Sequence, residues 1–169
     1  MKIQFFKSHL NDNSRRIITL VQDVSDDQAR WKPDPRSWSI LEVINHLYDE
    51  EREDFRVRLE ILLYYPEKPW PLINPEGWVN QRKYNQRDLQ DSLDSFLAER
   101  RASLKWLDTL DEPDFGTVFS SPFGSLSAGD MLTSWAAHDL LHMRQLIELH
   151  RAYMELQAES FRMDYAGQW

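Results

Sequence analysis

Two histidines four positions apart, His138 and His142 in AAHDLLHMRQL, are the residues of this 169-residue chain best spaced for metal chemistry. On an α-helix, positions i and i+4 share a face, with Cβ atoms about 5–6 Å apart. Imidazoles so placed can converge on one ion at Zn–N distances of about 2.0–2.1 Å. The flanking residues support a helix, since Leu132, Trp135, Ala136, Leu140, Leu141, Leu146 and Leu149 recur at helical spacings. A pair alone is also what two ordinary surface or core histidines look like, so a third ligand decides its meaning.

His46, in WSILEVINHLYDEE, is the candidate third ligand. It reads equally as a core histidine against Leu41, Ile44 and Leu47. Asp49 and Glu50 follow it by about one turn. They are the candidate general bases of a metal-dependent reaction, and a carboxylate near a ligating imidazole also serves to orient it. The run Asp49, Glu50, Glu51, Glu53 and Asp54 holds more charge than one site uses, so most of it is expected to face solvent. Other candidates drop out. Glu42 stands three residues after Ser39 and is expected to complete a capping box. His9 has no acidic or histidine partner at i+4, and His150 lies two turns beyond His142. The pair reads His-Asp-Leu-Leu-His where a zincin has H-E-x-x-H. No peptidase activity is inferred, and Asp139 is expected to meet solvent or to back the ligands.

Four long helices are needed to position these groups. The first is predicted over Ile3–Val24, with Phe5, Phe6, Leu10, Ile17, Leu20, Val21 and Val24 buried. Ser25 to Arg30 forms a short turn, capped by Ser25 and Gln28, before Lys32-Pro33-Asp34-Pro35 breaks the chain. The second helix starts at Ser39 and runs to about Leu63. The third spans Asp88 to Leu110, and its Asp and Glu residues read as a solvated face. Ser127 and Asp130 form another capping box, opening a fourth helix that lasts to about Leu156. Between helices two and three, Tyr64 to Arg87 is a long connection carrying four of the eight prolines. About 24 extended residues reach roughly 80 Å, against some 38 Å for a helix of about 25 residues. The connection is therefore long enough to return along the bundle and let helices two and three run parallel. Trp70 is expected to pin it, while Trp78 and Tyr84 either pin it or wall a pocket. Asp111 to Leu126 is a linker with a small hairpin around Ser120-Ser121-Pro122-Phe123-Gly124. The tail, Phe161–Trp169, is expected to dock.

Composition narrows the function classes. Hydrophobic residues are 41% and charged residues 28%, the proportions of a globular protein. The length suits one domain, residues 1–169. A net charge of -8 with no Lys/Arg block leaves nucleic acid without an electrostatic footprint. With no cysteine, disulfides, Cys-ligated zinc and a cysteine nucleophile are excluded, so thiol chemistry would need a borrowed small-molecule thiol. No run approaches the ~18–20 apolar residues that span a bilayer, and the N-terminus lacks a signal-peptide core. A cytoplasmic protein is expected.

WSILEVINHLYDEE, followed about ninety residues later by FGSLSAGDMLTSWAAHDLLHMRQL, resembles the DinB-like (YfiT-like) superfamily of helical bundle proteins, and PDPRSWS and DYAGQW fit it too. The resemblance spans essentially the whole chain. It implies an all-α four-helix bundle with a long crossover between helices two and three. It also implies a divalent metal, Zn, Ni or Fe, on His46, His138 and His142. Members of that superfamily include thiol-dependent S-transferases and isomerases that use low-molecular-weight thiols, others described as metal-dependent hydrolases, and many homodimers. The expected function is accordingly a metal-dependent transferase or hydrolase acting on a small molecule. The alternatives are a metal-binding stress or sensor protein without turnover, and a plain helical interaction module.

Overall fold

The computed structural model describes residues 2–121, 124–167 and 169. Its helices are α1 (Ile3–Val21), α2 (Asp26–Arg30), α3 (Ile40–Glu50), α4 (Arg56–Tyr64), α5 (Pro75–Gln81), α6 (Leu89–Asp108) and α7 (Ala128–Ala158). A π-turn, Glu51–Phe55, joins α3 to α4 into one long helix, and the strands β1 (Val118–Ser121) and β2 (Gly124–Ser127) form an antiparallel hairpin before α7. Its tip, Pro122-Phe123, lies outside the described residues.

The architecture is the four-helix bundle expected. Asn45 meets Ser92 and Glu51 meets Arg100, so α3–α4 and α6 run parallel. His46 meets His142 while Phe55 meets Trp135, so α7 runs against them. Leu10 meets Arg100, and the first turns of α1 meet Asp108 at the end of α6. His150, near the end of α7, bonds the Leu20 carbonyl near the end of α1. The order is thus up, down, down, up, which needs the long crossover.

That crossover is not all loop. It contains α5 and a 3₁₀ turn, Tyr84–Gln86, and is fastened along the outside of α3. Arg82 forks onto both oxygens of Glu53 at 2.8 and 2.9 Å and also reaches Asp49. The Tyr84 hydroxyl donates to Asp49 Oδ2. Trp78 and Tyr84 are both buried, and Trp70 packs against the bundle's apolar core and stacks on Phe119 at 4.4 Å, so it pins the crossover as expected.

The π-turn has a sequence cause. Leu47, Glu51, Phe55 and Leu59 are all buried, yet each step is four residues. At about 100° per residue, three such steps drift about 120° around an ideal helix. The wide turn takes up one extra residue and keeps the four on one face.

Two apolar clusters fill the bundle. One holds Ile17, Val21, Leu41, Ile44, Leu47, Phe96, Met143 and Leu146, and the other Leu10, Leu59, Leu62, Leu107, Leu132 and Trp135. A charged layer contacts all four long helices. Arg100 bonds Glu51 at 2.9 and 3.0 Å, Asp139 at 2.7 and 2.8 Å, and the Leu10 carbonyl at 2.7 Å. Trp135 Nε1 donates to Glu51 as well.

Two expectations are corrected here. Asp49, Glu50, Glu51 and Asp54 are buried rather than solvent-facing, because Arg82 and Arg100, distant in sequence, pair with Asp49 and Glu51, and Arg58, one turn on, pairs with Asp54. The tail does not bury its aromatics: Phe161, Tyr165 and Trp169 are exposed. Phe161 and Trp169 line an open groove with Ile147 and Met154 without filling it, and Trp169 faces the Arg151 guanidinium at 5.7 Å.

Candidate metal centre

His46 is delivered by α3, whose start is fixed by a complete capping box between Ser39 and Glu42. Lys32 holds the outer oxygen of that glutamate at 2.7 Å. His138 and His142 come from consecutive turns of α7, which Ser127 and Asp130 cap in the same way. The three imidazoles converge through their Nε2 atoms. His46 Nε2 lies 3.3 Å from His138 Nε2, which lies 3.0 Å from His142 Nε2. His9 and His150 lie elsewhere, bonded to the carbonyls of Phe5 and Leu20.

The donor set fits a divalent ion. Two ligands about 2.05 Å from one ion at a tetrahedral angle stand about 3.3 Å apart. Hydrogen bonding alone serves the cluster poorly. A ring nitrogen of neutral imidazole carries either one hydrogen or one lone pair, so His138 Nε2 satisfies only one of its two close neighbours. A cation accepts all three lone pairs. The opposite side of the His142 ring is prepared for this, since its Nδ1 lies 2.8 Å from Gln145 Oε1. Protonation at Nδ1 leaves the Nε2 lone pair free. Phe55 packs on His138 at 5.0 Å and Trp38 on His46 at 4.8 Å, closing two sides with apolar rings.

The two carboxylates singled out in the sequence are placed differently. Glu50 lies behind His46, its Oε1 4.0 Å from Nδ1, and both atoms are buried without a hydrogen-bond partner. Asp49 turns outward to Tyr84, Arg82 and Arg52. Asp139 points away from the cluster into the Arg100 layer.

Burial controls the protonation of this site. It pushes His46 down from 6.5 to about 2, helped by His142 and His138. It pushes His138 down to about 3, helped by His142 and the Arg100 charge. His142 is lowered by burial too, against the Gln145 contact. Burial and the neighbouring Asp54 raise Glu50 from 4.5 to about 8. All three imidazoles are therefore held neutral, the form that binds metal.

A pH dependence follows for the metal-free protein. Unfolded chains protonate these histidines near 6.5, whereas the folded chain resists until about 2 to 3 for His46 and His138. The unfolded state binds more protons in between, so stability falls as pH drops below 6.5, by about 1.4 kcal/mol per pH unit for each such histidine. Glu50 acts in the opposite sense. It stays protonated in the folded chain up to about 8, and its contribution is lost as pH rises from 4.5 to 8. Urea unfolding in EDTA across pH 4–8 is expected to give a maximum near 6.5. Stability that keeps climbing down to pH 4 contradicts the buried neutral cluster.

The family model of the DinB superfamily matches residues 9–146. The chain belongs to the DinB superfamily. All three histidines fall inside the matched span. Among solved structures, the chain is similar to YfiT from Bacillus subtilis, described as a probable metal-dependent hydrolase with an unusual four-helix bundle topology. The TM-score is 0.78 at 18% identity, over 89% of this chain and 86% of that one, a likeness of fold. No curated protein matches. In this DinB-superfamily bundle, sequence reasoning missed Gln145, although His142-x-x-Gln145 puts the two on one helical face. It also missed Trp38 and Phe55 as walls. Both lie at bends of the pattern, the one before the Ser39 cap and the other in the π-turn.

Proposed function

We propose that this chain is a metal-dependent enzyme that holds one divalent ion on the Nε2 atoms of His46, His138 and His142. It acts on a small-molecule substrate by hydrolysis or by transfer to a low-molecular-weight thiol. The observation that carries this is the convergence of three buried, neutral imidazoles at 3.0 and 3.3 Å. Three protein ligands leave coordination positions open, the mark of a catalytic site. A divalent ion there supplies activation of water or a thiol at neutral pH.

The chain's own residues divide the remaining work. Gln145 orients His142. Glu50 faces His46 from behind, and we assign it a positioning role through the Nδ1 proton rather than direct contact with substrate. Asp49 holds the crossover through Tyr84 and Arg82. Trp38 and Phe55 keep bulk water from two sides. With no cysteine in the chain, a transferred thiol is a bound cofactor. A homodimer is the assembly that the superfamily resemblance implies.

Turnover decides between the two chemistries. Metal-loaded protein is screened against ester and amide substrates with water alone, and against electrophiles with added small thiols. Activity that requires both ion and thiol supports the transferase, and activity with water alone supports the hydrolase. No turnover in either screen, with one ion bound per chain, contradicts the enzyme reading and leaves a metal-binding protein.

A further inference from the structure

Beside the histidine cluster lies a cavity of about 560 Å³, between the loop that precedes α3 and the last turns of α7. Pockets for small ligands measure about 300–1,000 Å³. Trp38 and Gln145 form the wall nearest the histidines. The Trp38 ring lies parallel to that of His142 at 6.4 Å, and Gln145 Oε1 bonds His142 Nδ1. The cavity and the cluster therefore share two side chains.

Its charges run against those of the whole molecule. In a chain of net charge -8, the cavity is lined by Arg36, Arg151 and a single acid, Glu148. Among the described residues, the Arg36 guanidinium has no hydrogen bond or close ion pair; the hydrogen bonds of Asp34 beside it go to the Arg36 and Ser37 amides and the Ser37 hydroxyl, and its charge acts on Arg36 only through space. Glu148 is engaged by Arg144, and Arg151 by Glu155 through Nη1. Arg151 Nε is buried and has no hydrogen-bond partner. Leu149, Ala152 and the Trp38 ring supply an apolar floor.

We infer that this cavity binds a small organic monoanion, a carboxylate on an aromatic or similarly sized apolar body. The guanidinium of Arg36 meets the carboxylate in fork geometry, with Arg151 on the same wall. Trp38 packs on the body, as aromatic side chains do in such sites. With Arg151 paired to Glu155 and Glu148 to Arg144, Arg36 is the guanidinium left for a ligand, and the nearby Asp34 charge offsets part of it, which suits a singly charged carboxylate better than a phosphate dianion. The binding site stands on the cavity alone. Identifying this anion as the substrate rests on the enzyme reading, and it makes the substrate class an organic acid.

Phenylacetate is the probe, with 2-phenylethanol as its neutral counterpart and phenyl phosphate as the dianion. Binding to the metal-loaded full chain is measured by isothermal titration calorimetry. Saturable phenylacetate binding is expected, at least tenfold tighter than either comparator. Arg36→Gln, an exposed position where folding is not at stake, is expected to weaken phenylacetate at least tenfold while leaving metal content and circular dichroism unchanged. Arg151→Gln provides a second reading of the same loss. No saturation, equal affinity for the neutral probe, tighter phenyl phosphate, or unchanged affinity in both variants overturns the site. The two proposals fail separately. Phenylacetate binding to a chain that takes up no metal ends the enzyme reading and keeps this site, whereas one ion per chain without phenylacetate binding does the reverse.

Discussion

His138→Ala is expected to lower bound divalent metal from near one ion per chain to near zero, while the metal-free fold survives. His138 is the middle member of the cluster, with its Nε2 close to both other Nε2 atoms. Without it two imidazoles remain, and their rings are 4.7 Å apart with no third donor among the described residues. Removing a group that merely orients a ligand costs about 10–100-fold in metal affinity. Gln145→Leu falls in that class, and loss of a ligand itself exceeds it. Competition with a chromophoric chelator ranks the two variants. The order Gln145→Leu stronger than His138→Ala is expected, and an unchanged affinity in His138→Ala removes that residue from the site. The apolar clusters on either side of the histidines keep the fold intact, so circular dichroism of His138→Ala in EDTA should match that of the parent.

Arg100→Ala is expected to be the most destabilising single change in the bundle. The guanidinium is nearly inaccessible and compensates Glu51 and Asp139, which are equally buried. It also caps the Leu10 carbonyl. Truncation leaves two carboxylates in the interior with no counter-charge, a loss of about 3–5 kcal/mol. Replacing all three groups together, as Arg100→Met, Glu51→Leu and Asp139→Leu, avoids stranded charge and is expected to recover most of the loss. Urea midpoints measure both. A cost below about 1 kcal/mol for Arg100→Ala, the range of an exposed ion pair, contradicts the buried layer. The layer also bears on the site. Glu51 lies five residues past His46 and Asp139 next to His138, so Arg100 holds the two ligand-bearing helices in mutual register. Arg100→Ala should weaken metal binding without touching a ligand.

Much of this was legible locally. Helical spacing of Leu and Ile marked the four long helices, and Ser39–Glu42 and Ser127–Asp130 marked the starts of the two that carry histidines. The long proline-bearing segment had the reach to let helices two and three run parallel, and the superfamily resemblance implied that crossover. The three-histidine set was readable because two members sit on one helical face. The partners of the charges were not. Arg100 occupies a place in α6 that looks like any solvated position, and Glu51 and Asp139, 49 and 39 residues away in sequence, are brought to it only by the fold. Arg82 and Tyr84 likewise reach Asp49 from a crossover with no sequence period relating them. The tail shows the converse error. Tyr165 and Trp169 suggested burial by type, yet burial depends on close packing against a facing surface, and the groove along α7 that holds Ile147, Arg151 and Met154 stays open beneath the tail.

The three imidazoles are expected to hold a metal in the purified protein. Elemental analysis of the purified full chain after gel filtration, before and after dialysis against EDTA, tests it directly. One divalent ion per chain is expected, removed by the chelator with a fall in thermal midpoint and restored on adding Zn²⁺ or Ni²⁺. A chain that elutes metal-free, takes up neither ion and unfolds at the same temperature with and without them contradicts it.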